Sequence, residues 1–465
     1  MGVHGTKKAC SESLGVILDM QFLRPGIVGS IMLGITGCAT YSPIPLPDKV
    51  DLIDQIPAQL TQPLDMNAIA TVAVLNNRDL IAARRKAQIG EAQAFAAGIL
   101  PNPQLTAELV MPTDQGDVGG NGFAYGLSYD LQALIVRSAK VAAANAARDQ
   151  ARLDLLWEEW QTVAQARNLY VQRINATEKH SLYAALEAKY ATQAERSGRA
   201  LQAGDATFDQ AGVDLAALLD VRSQLSTADR AASQADYSLH TLLGVAPQVE
   251  LPLQPLEPPP IPDRAAIEAA LAKVAQLRPD LRALQFGYQS QEENLRKSVL
   301  SQFPSLSIGV TRMSDTPGDT SAFGTVIHAV SIGATLNLPL FDRNQGDIAV
   351  QSATRAQLYA EYQARLDQTT GDAWRIWTEM QQLSAAIKEL EDRLPELQVA
   401  ADNADKAYVA GDLPALTYVT LQSAALNRLS EISDLRQSLW ADAIALTSVI
   451  GTQLQPNVEM KEPRQ

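Results

Sequence analysis

The chain repeats itself once, and that limits its architecture more than any local signal does. Asp79, Leu80, Ala82, Gln88, Glu91, Pro103 and Leu105 recur 201 residues later as Asp280, Leu281, Ala283, Gln289, Glu292, Pro304 and Leu306. Further on, Gly126, Gln161, Thr162, Ala166, Ala203-Gly204-Asp205, Ala217, Leu239 and Gly244 recur at an offset of 207, as Gly333, Gln368, Thr369, Ala373, Ala410-Gly411-Asp412, Ala424, Leu446 and Gly451. The offset changes between Leu105 and Gly126, where turn-rich stretches lie in both halves. Two long halves mean an internal duplication and not a solenoid of short units.

Each half has the same order of signals. Residues 67–98 and 263–300 are rich in Ala, Gln, Arg and Glu, which predicts a helix. Pro101 and Pro103 end the first of these. Period-2 alternation follows, with Leu105, Ala107 and Leu109 in one strand and Phe123, Tyr125, Leu127 and Tyr129 in the next; the second half gives strands over 305–313 and 325–338. Residues 139–202 contain no proline and place Leu153, Leu156, Trp160, Val163, Ala166, Tyr170 and Ile174 at spacings of three and four. At ~1.5 Å per residue such a helix is roughly 95 Å long, more than an ordinary globular core allows. The Gly-Asp turns at 204–205 and 411–412 send each long helix back, into 206–244 and 415–450. The second long helix, 347–410, contains Pro395. The domain plan is an extended N-terminal segment over 38–66, a first repeat over 67–244, a Pro-rich extended crossover over 245–262, a second repeat over 263–451 and a tail over 452–465.

Four strands cannot close a sheet, because two edges stay unpaired. About ten alternating residues per strand suits a bilayer-spanning barrel with one face on lipid and the other on a polar lumen. A soluble sandwich against the helices is the other reading, and with it a soluble periplasmic coiled-coil scaffold.

The N-terminal segment suggests where the chain goes. From Met20 it reads as a secretory signal: Arg24, an apolar or small stretch from Gly26 to Gly37, then Cys38. Ile35-Thr36-Gly37-Cys38 resembles the bacterial lipoprotein box, so residues 1–37 are expected to be removed and Cys38 to carry a covalent lipid; translation is expected to start at Met20. The formal charge of -14 and the lack of a basic stripe argue against nucleic acid as a partner. Two cysteines and four histidines, with no close pair, leave too few ligands for a thiolate or imidazole metal cage, so no metal site and no cofactor beyond the lipid is expected. His180, His240 and His328 lack a nucleophile and an acidic partner in any catalytic pattern, and no enzyme activity is expected.

The duplicated plan, together with Pro103 and Pro304 before each first strand, the Gly204-Asp205 and Gly411-Asp412 turns and the run Leu338-Pro339-Leu340-Phe341-Asp342-Arg343-Asn344-Gln345-Gly346, resembles the TolC-like outer-membrane efflux proteins. The run is most similar to the heavy-metal, cation-efflux lipoprotein branch, although the first half departs from it with Leu134-Ile135-Val136-Arg137-Ser138. The resemblance implies a mainly α fold with a small β part. Three copies would pool their strands into a twelve-stranded outer-membrane barrel continued by a periplasmic α-helical barrel. It implies a homotrimer in outer-membrane lipid, a periplasmic membrane-fusion adaptor and an inner-membrane RND-type pump as partners, and passive export of heavy-metal cations; a drug, solvent or type I secretion duct shares the architecture.

The helical tips are the expected working end. Gly204 and Gly411 permit the reversal, and Asp205 and Asp412 are expected to cap the returning helices. Glu195, Asp402 and Asp405 are candidates for a negatively charged constriction or for a plain solvated face. Some relatives carry paired aspartates after the second tip glycine; the matching positions here, Thr417 and Thr420, are candidate constriction residues by that resemblance. Ser197, Arg199, Leu201, Val409 and Leu413 are candidate adaptor contacts by position and resemblance.

Overall fold

The computed structural model describes residues 41–55, 63–111, 122–315 and 327–452. The signal segment, Cys38 and the tail beyond 452 lie outside the described residues. The described residues up to Asp51 belong to one unit and are exposed; Leu52 onward belongs to the second unit.

The first repeat runs α1 (Met66–Asn76), α2 (Arg78–Gly98), β1 (Gln104–Val110), β2 (Gly122–Asp130), α3 (Gln132–Ala203) and α4 (Phe208–Leu243). The second runs α5 (Arg264–Leu271), α6 (Val274–Leu277), α7 (Pro279–Leu300), β3 (Ser305–Asp315), β4 (Ile327–Asn337), α8 (Gln345–Ala410) and α9 (Ala415–Ile450). The two long helices, α3 and α8, have 72 and 66 residues, and α8 stays helical through Pro395. The strands form one antiparallel sheet in the order β1-β2-β3-β4, so β1 and β4 are open edges.

Two expected helices are broken. In place of one helix over 67–98, Asn77 takes an extended ψ of 124°, ends α1 and caps α2 through its side chain, which accepts from Leu80 N at 2.9 Å. In place of one helix over 263–300 there are three pieces, with Arg278 (ψ 123°) at the position equivalent to Asn77. At Arg278 the break is local in origin, because Pro279 disfavours helical ψ in the residue before it and opens α7 at its first position; at Asn77 the side-chain cap and a tertiary contact, given below, set the break.

On the barrel side α3 packs between α2 and α7, with α8 beyond α7; on the tip side it packs between α4 and α9, with α8 beyond α9. Within the protomer this leaves α2 and α4 on one flank and α8 on the other. The core is split into three clusters: around Leu64, Ile69, Tyr170 and Leu243, around Ile267, Ile376, Met380 and Ile450, and near the tips around Leu186, Tyr190, Leu218 and Tyr418. The crossover is sewn to the helices by side chains donating to its carbonyls, Tyr170 to Gln254, Trp440 to Glu257 and Trp377 to Pro262.

Candidate channel wall and periplasmic tip

The register of the sheet sorts its residues into two faces. Leu105, Leu127, Val310 and Ile332 stand opposite one another across the four strands, and the same face carries Leu109, Phe123, Tyr125, Tyr129, Leu306, Ile308, Val330 and Leu336. Most of these are exposed in the protomer, Ile332 to 80%. The other face carries Gln104, Thr106, Gly126, Ser128, Ser307, Gly309, Thr311, Ser331, Gly333 and Thr335. Gly126 has a steric reason: a Cβ there would lie 2.6 Å from the Thr311 hydroxyl and 3.0 Å from that of Thr106. An exposed apolar face backed by a small, polar one is the pattern of a strand between lipid and water. Among the described residues no helix is long and apolar enough to cross a membrane.

The motif after β4 makes the strand-to-helix turn. Asn344 is the one described non-glycine residue with positive φ, 62°, a conformation asparagine tolerates. Its N–H donates to Asp342 Oδ1 at 2.8 Å and its side chain donates to Ser298 O at 2.8 Å, tying the start of α8 to the end of α7.

At the tips both long helices end the same way. Gly204 and Gly411 each have φ 82°, and the N–H groups of Asp205 and Asp412 donate to Ala200 O and Ala407 O at 2.9 Å. This is the Schellman arrangement. The expectation that these aspartates cap the returning helices is corrected: Thr207 caps α4 in a reciprocal box with Gln210, and Pro414 precedes α9 with no side-chain cap. The aspartates come too early in the turn, where their backbone closes the preceding helix.

The remaining tip candidates do not converge on one spot within the protomer. Glu195 and Arg199 pair with each other at 3.6 Å, each side chain 69% exposed. Asp402 is exposed, whereas Asp405 is half-buried against Tyr418. Thr417 and Thr420 are exposed, the latter donating to Leu416 O at 2.7 Å. Val409 is exposed, and Leu201 and Leu413 are half-buried, Leu413 against the tip cluster. Ser197 is corrected as a surface contact: it is buried and donates to Ala194 O at 3.3 Å.

The structure adds a network that the sequence did not reveal. Asp214 on α4, 2% exposed, accepts from Tyr408 on α8 at 2.8 Å and from Gln193 at 3.3 Å through one carboxylate oxygen; the other is buried without a partner. Tyr408 stacks on Tyr418 at 4.6 Å, and Tyr190 meets Tyr418 edge-on at 6.2 Å. Burial, then the Asp214 carboxylate, pushes the Tyr408 phenol up to about 12. Burial, and after it Asp405, pushes Tyr418 upward as well. Both phenols are neutral donors at physiological pH, so Tyr408 fastens the two helical pairs of the protomer together near the tip.

A second polar knot lies midway, where α9 ends and α7 begins. Arg278, 4% exposed, makes two bonds to Asp280 (2.8 and 2.6 Å) and donates to Thr369 Oγ1 at 2.9 Å and Val449 O at 3.1 Å. Arg365 reaches the same carboxylate at 2.9 Å, and the Trp157 ring lies 5.0 Å from the guanidinium. Burial opposes the charge on Asp280, but the bonds and charges of Arg278 and Arg365 outweigh it and hold the carboxyl below its usual value. A cavity of about 630 Å³ opens beside this knot between α3 and α8. His240 is buried, its ring nitrogens on Asp236 O and Val249 O at 2.8 and 2.7 Å, and His180 pairs with Asp229 at the surface. No group of His, Cys, Asp and Glu among the described residues could hold a metal ion.

Residues 270–452 match the family described as outer membrane efflux protein. The chain is 23% identical over 397 residues to the cobalt-zinc-cadmium resistance protein CzcC of Cupriavidus metallidurans, covering 80% of this chain and 86% of that one. Among solved structures it matches CusC (TM-score 0.69, 17% identity, 89% of this chain and 99% of that one). It also matches the outer-membrane channel OprN (TM-score 0.70, 15% identity, 89% and 99%). A third match is the outer membrane protein VceC of Vibrio cholerae (TM-score 0.67, 17% identity, 84% and 97%).

Proposed function

We propose that this TolC-like outer membrane efflux protein forms one third of a passive duct, three copies pooling their strands in a closed barrel and their helices in a tunnel through the periplasm. The observation that carries this reading is the sheet, with two open edges, an exposed apolar face and a small, polar face behind it. Only closure removes both edges. The helical flanks support the same assembly. One flank exposes Ile89, Phe95, Leu215 and Leu219, the other Val350, Tyr359, Val399 and Val409, and two unlike apolar edges join head to tail into a ring.

The cargo we assign is heavy-metal cations, on the resistance named for the Cupriavidus relative and on the Pro-Leu-Phe-Asp-Arg-Asn-Gln-Gly run. Charge agrees: removing residues 1–37 leaves a chain of net -15, and three such chains would favour cation entry at low ionic strength. A periplasmic adaptor and an inner-membrane pump of the RND type complete the system, docking around the Gly204 and Gly411 turns near Arg199 and Val409. Glu195 and Asp402, exposed at that end, are the carboxylates we assign to its entrance. A lipid on Cys38 anchors the chain, and replacing Cys38 with Ser should abolish acyl labelling.

Deleting the gene tests the cargo. Metal tolerance should fall with drug tolerance unchanged; the opposite result replaces metal with drug. Purified protein should run as a detergent-requiring, heat-modifiable trimer, and a monomer soluble without detergent would overturn the duct altogether.

A further inference from the structure

We propose that the outward face of the barrel carries a docking site for the phosphorylated headgroup of an outer-leaflet lipid, built on Arg312 with Tyr125 and His328. This rests on the barrel reading above, since only in a barrel does that face meet lipid.

The register places the three residues together. Arg312 on β3 stands opposite Tyr125 on β2 and Val330 on β4. His328 stands opposite Ser314, two positions from Arg312 on the same face and therefore its diagonal neighbour. Among the described strand residues Arg312 is the one fixed charge on the apolar face; Glu108 and Asp130 fall on the other. Its guanidinium is exposed and makes no hydrogen bond or ion pair with a described residue.

Position decides which leaflet. The helices leave the sheet at the Gln104, Asp130, Ser305 and Asn337 ends, which fixes that side as periplasmic. Arg312 and His328 lie toward the opposite, hairpin ends, above the aliphatic rung of Leu105, Leu127, Val310 and Ile332. A charge is costly at mid-bilayer and cheap near the interface, so the flexible stem of Arg312 carries its head up to the phosphate layer. The planar guanidinium offers a phosphate two parallel donors. Tyr125 supplies an amphipathic ring at the same rung, the place of interfacial aromatics, and His328 adds a donor beside it.

The test uses the purified full-length trimer, bisphosphorylated lipid A, and native mass spectrometry to count lipid retained per trimer. Arg312→Leu suits an apolar face and should assemble normally, yet retain lipid A about tenfold less well, as expected for losing a charge-assisted bidentate contact. Arg312→Lys should fall between. The wild type should discriminate against dephosphorylated lipid A, and millimolar inorganic phosphate should not displace bound lipid. Equal retention by Arg312→Leu, or equal binding of the dephosphorylated lipid, overturns the site; displacement by inorganic phosphate would make it an anion site and not a lipid site. Intact heat-modifiable trimers with unchanged lipid retention sink this inference alone, whereas absence of such trimers in the wild type sinks the barrel reading beneath it.

Discussion

The two repeats meet the same mechanical demand at the same place and answer it with different chemistry. In each, a helix returning from the tip stops at a left-handed glycine, Gly244 (φ 64°) or Gly451 (φ 75°), and abuts the start of a helix climbing to the sheet. Contact is close: a Cβ on Gly244 would lie 2.7 Å from Asn76 O, and one on Gly451 would lie 3.0 Å from Arg278 Cγ. A carbonyl of the returning helix's last turn then needs a donor. In the first repeat Asn77 gives it one, to Leu242 O at 2.9 Å, and spends its other end on its own helix cap. In the second repeat Arg278 reaches the equivalent Val449 O, but as a cation it also requires Asp280, and Asp280 draws in Arg365. The neutral joint is self-contained, whereas the charged joint gathers α7, α8, α9 and, through Trp157, a helix of the other repeat. Duplication thus preserved the geometry and let the second joint become a fastening between the halves.

The largest expected effect separates the joints directly. Arg278→Met leaves the Asp280 carboxylate buried with one partner fewer and should cost about 3–5 kcal/mol. Asn77→Ala loses a cap and one buried hydrogen bond and should cost about 1–3 kcal/mol. Denaturant melts of the detergent-solubilised protein measure both. Combining Arg278→Met with Asp280→Leu should recover much of the loss, because no buried charge is then stranded. If Arg278→Met is no worse than Asn77→Ala, the distinction between a charged and a neutral joint fails.

Acid sharpens the same contrast. The Asp280 carboxyl titrates below its ordinary value of 3.8 in the folded protein, so its contribution is complete above that pH and is lost as pH falls through the folded value. Wild-type stability should therefore drop more steeply below about pH 4 than that of the Arg278→Met/Asp280→Leu protein. Parallel acid curves for the two would deny the knot its pH dependence.

Near the tip the halves differ in another way, one giving the acceptor and the other the donor. Tyr408→Phe removes the hydroxyl from the buried Asp214 carboxylate, a loss of about 1–3 kcal/mol localised at that contact. Single-channel conductance in planar bilayers should rise, and the melting midpoint should fall in step with that loss. Alkali should act similarly: the Tyr408 phenol is pushed up to about 12, so the contact holds up to the ordinary phenol value of 10 and weakens as pH rises from there through the folded value. Conductance unaltered by Tyr408→Phe would make the contact plain packing.

How much of this was legible follows from where the repeats agree. The hairpins, the Gly-Asp turns and the long helices show in both halves, because burial and turn geometry demanded like residues at like positions. The α6–α7 break is signalled by Pro279, which disfavours helical ψ at Arg278, whereas Asn77 sits in helix-favouring surroundings; the common role of Asn77 and Arg278 appears only when Leu242 O and Val449 O are in place. The tip network escaped notice for a different reason. Asp214 and Tyr408 have Leu421 and Leu201 as their repeat equivalents, so self-comparison passes over both, and a pair 194 residues apart leaves no periodic trace.

The smallest expected effect lies in the turns themselves, where the backbone is shared and the caps are not. Thr207 accepts from Gln210 N at 3.3 Å while Gln210 Oε1 accepts from Thr207 N at 3.1 Å, a closed box at the start of α4. Pro414, at the equivalent start of α9, has no side-chain cap and relies on a fixed φ, here -64°. Thr207→Ala should therefore destabilise by about 1 kcal/mol, while Pro414→Ala should cost less, through added freedom of the unfolded chain. Because both turns are exposed, hydrogen exchange of the first turns of α4 and α9 is the suitable readout. Faster exchange in α4 alone after Thr207→Ala fits a side-chain cap acting locally. Equal acceleration in α9 would mean that the tips fray as one unit and that the difference between the caps carries no weight.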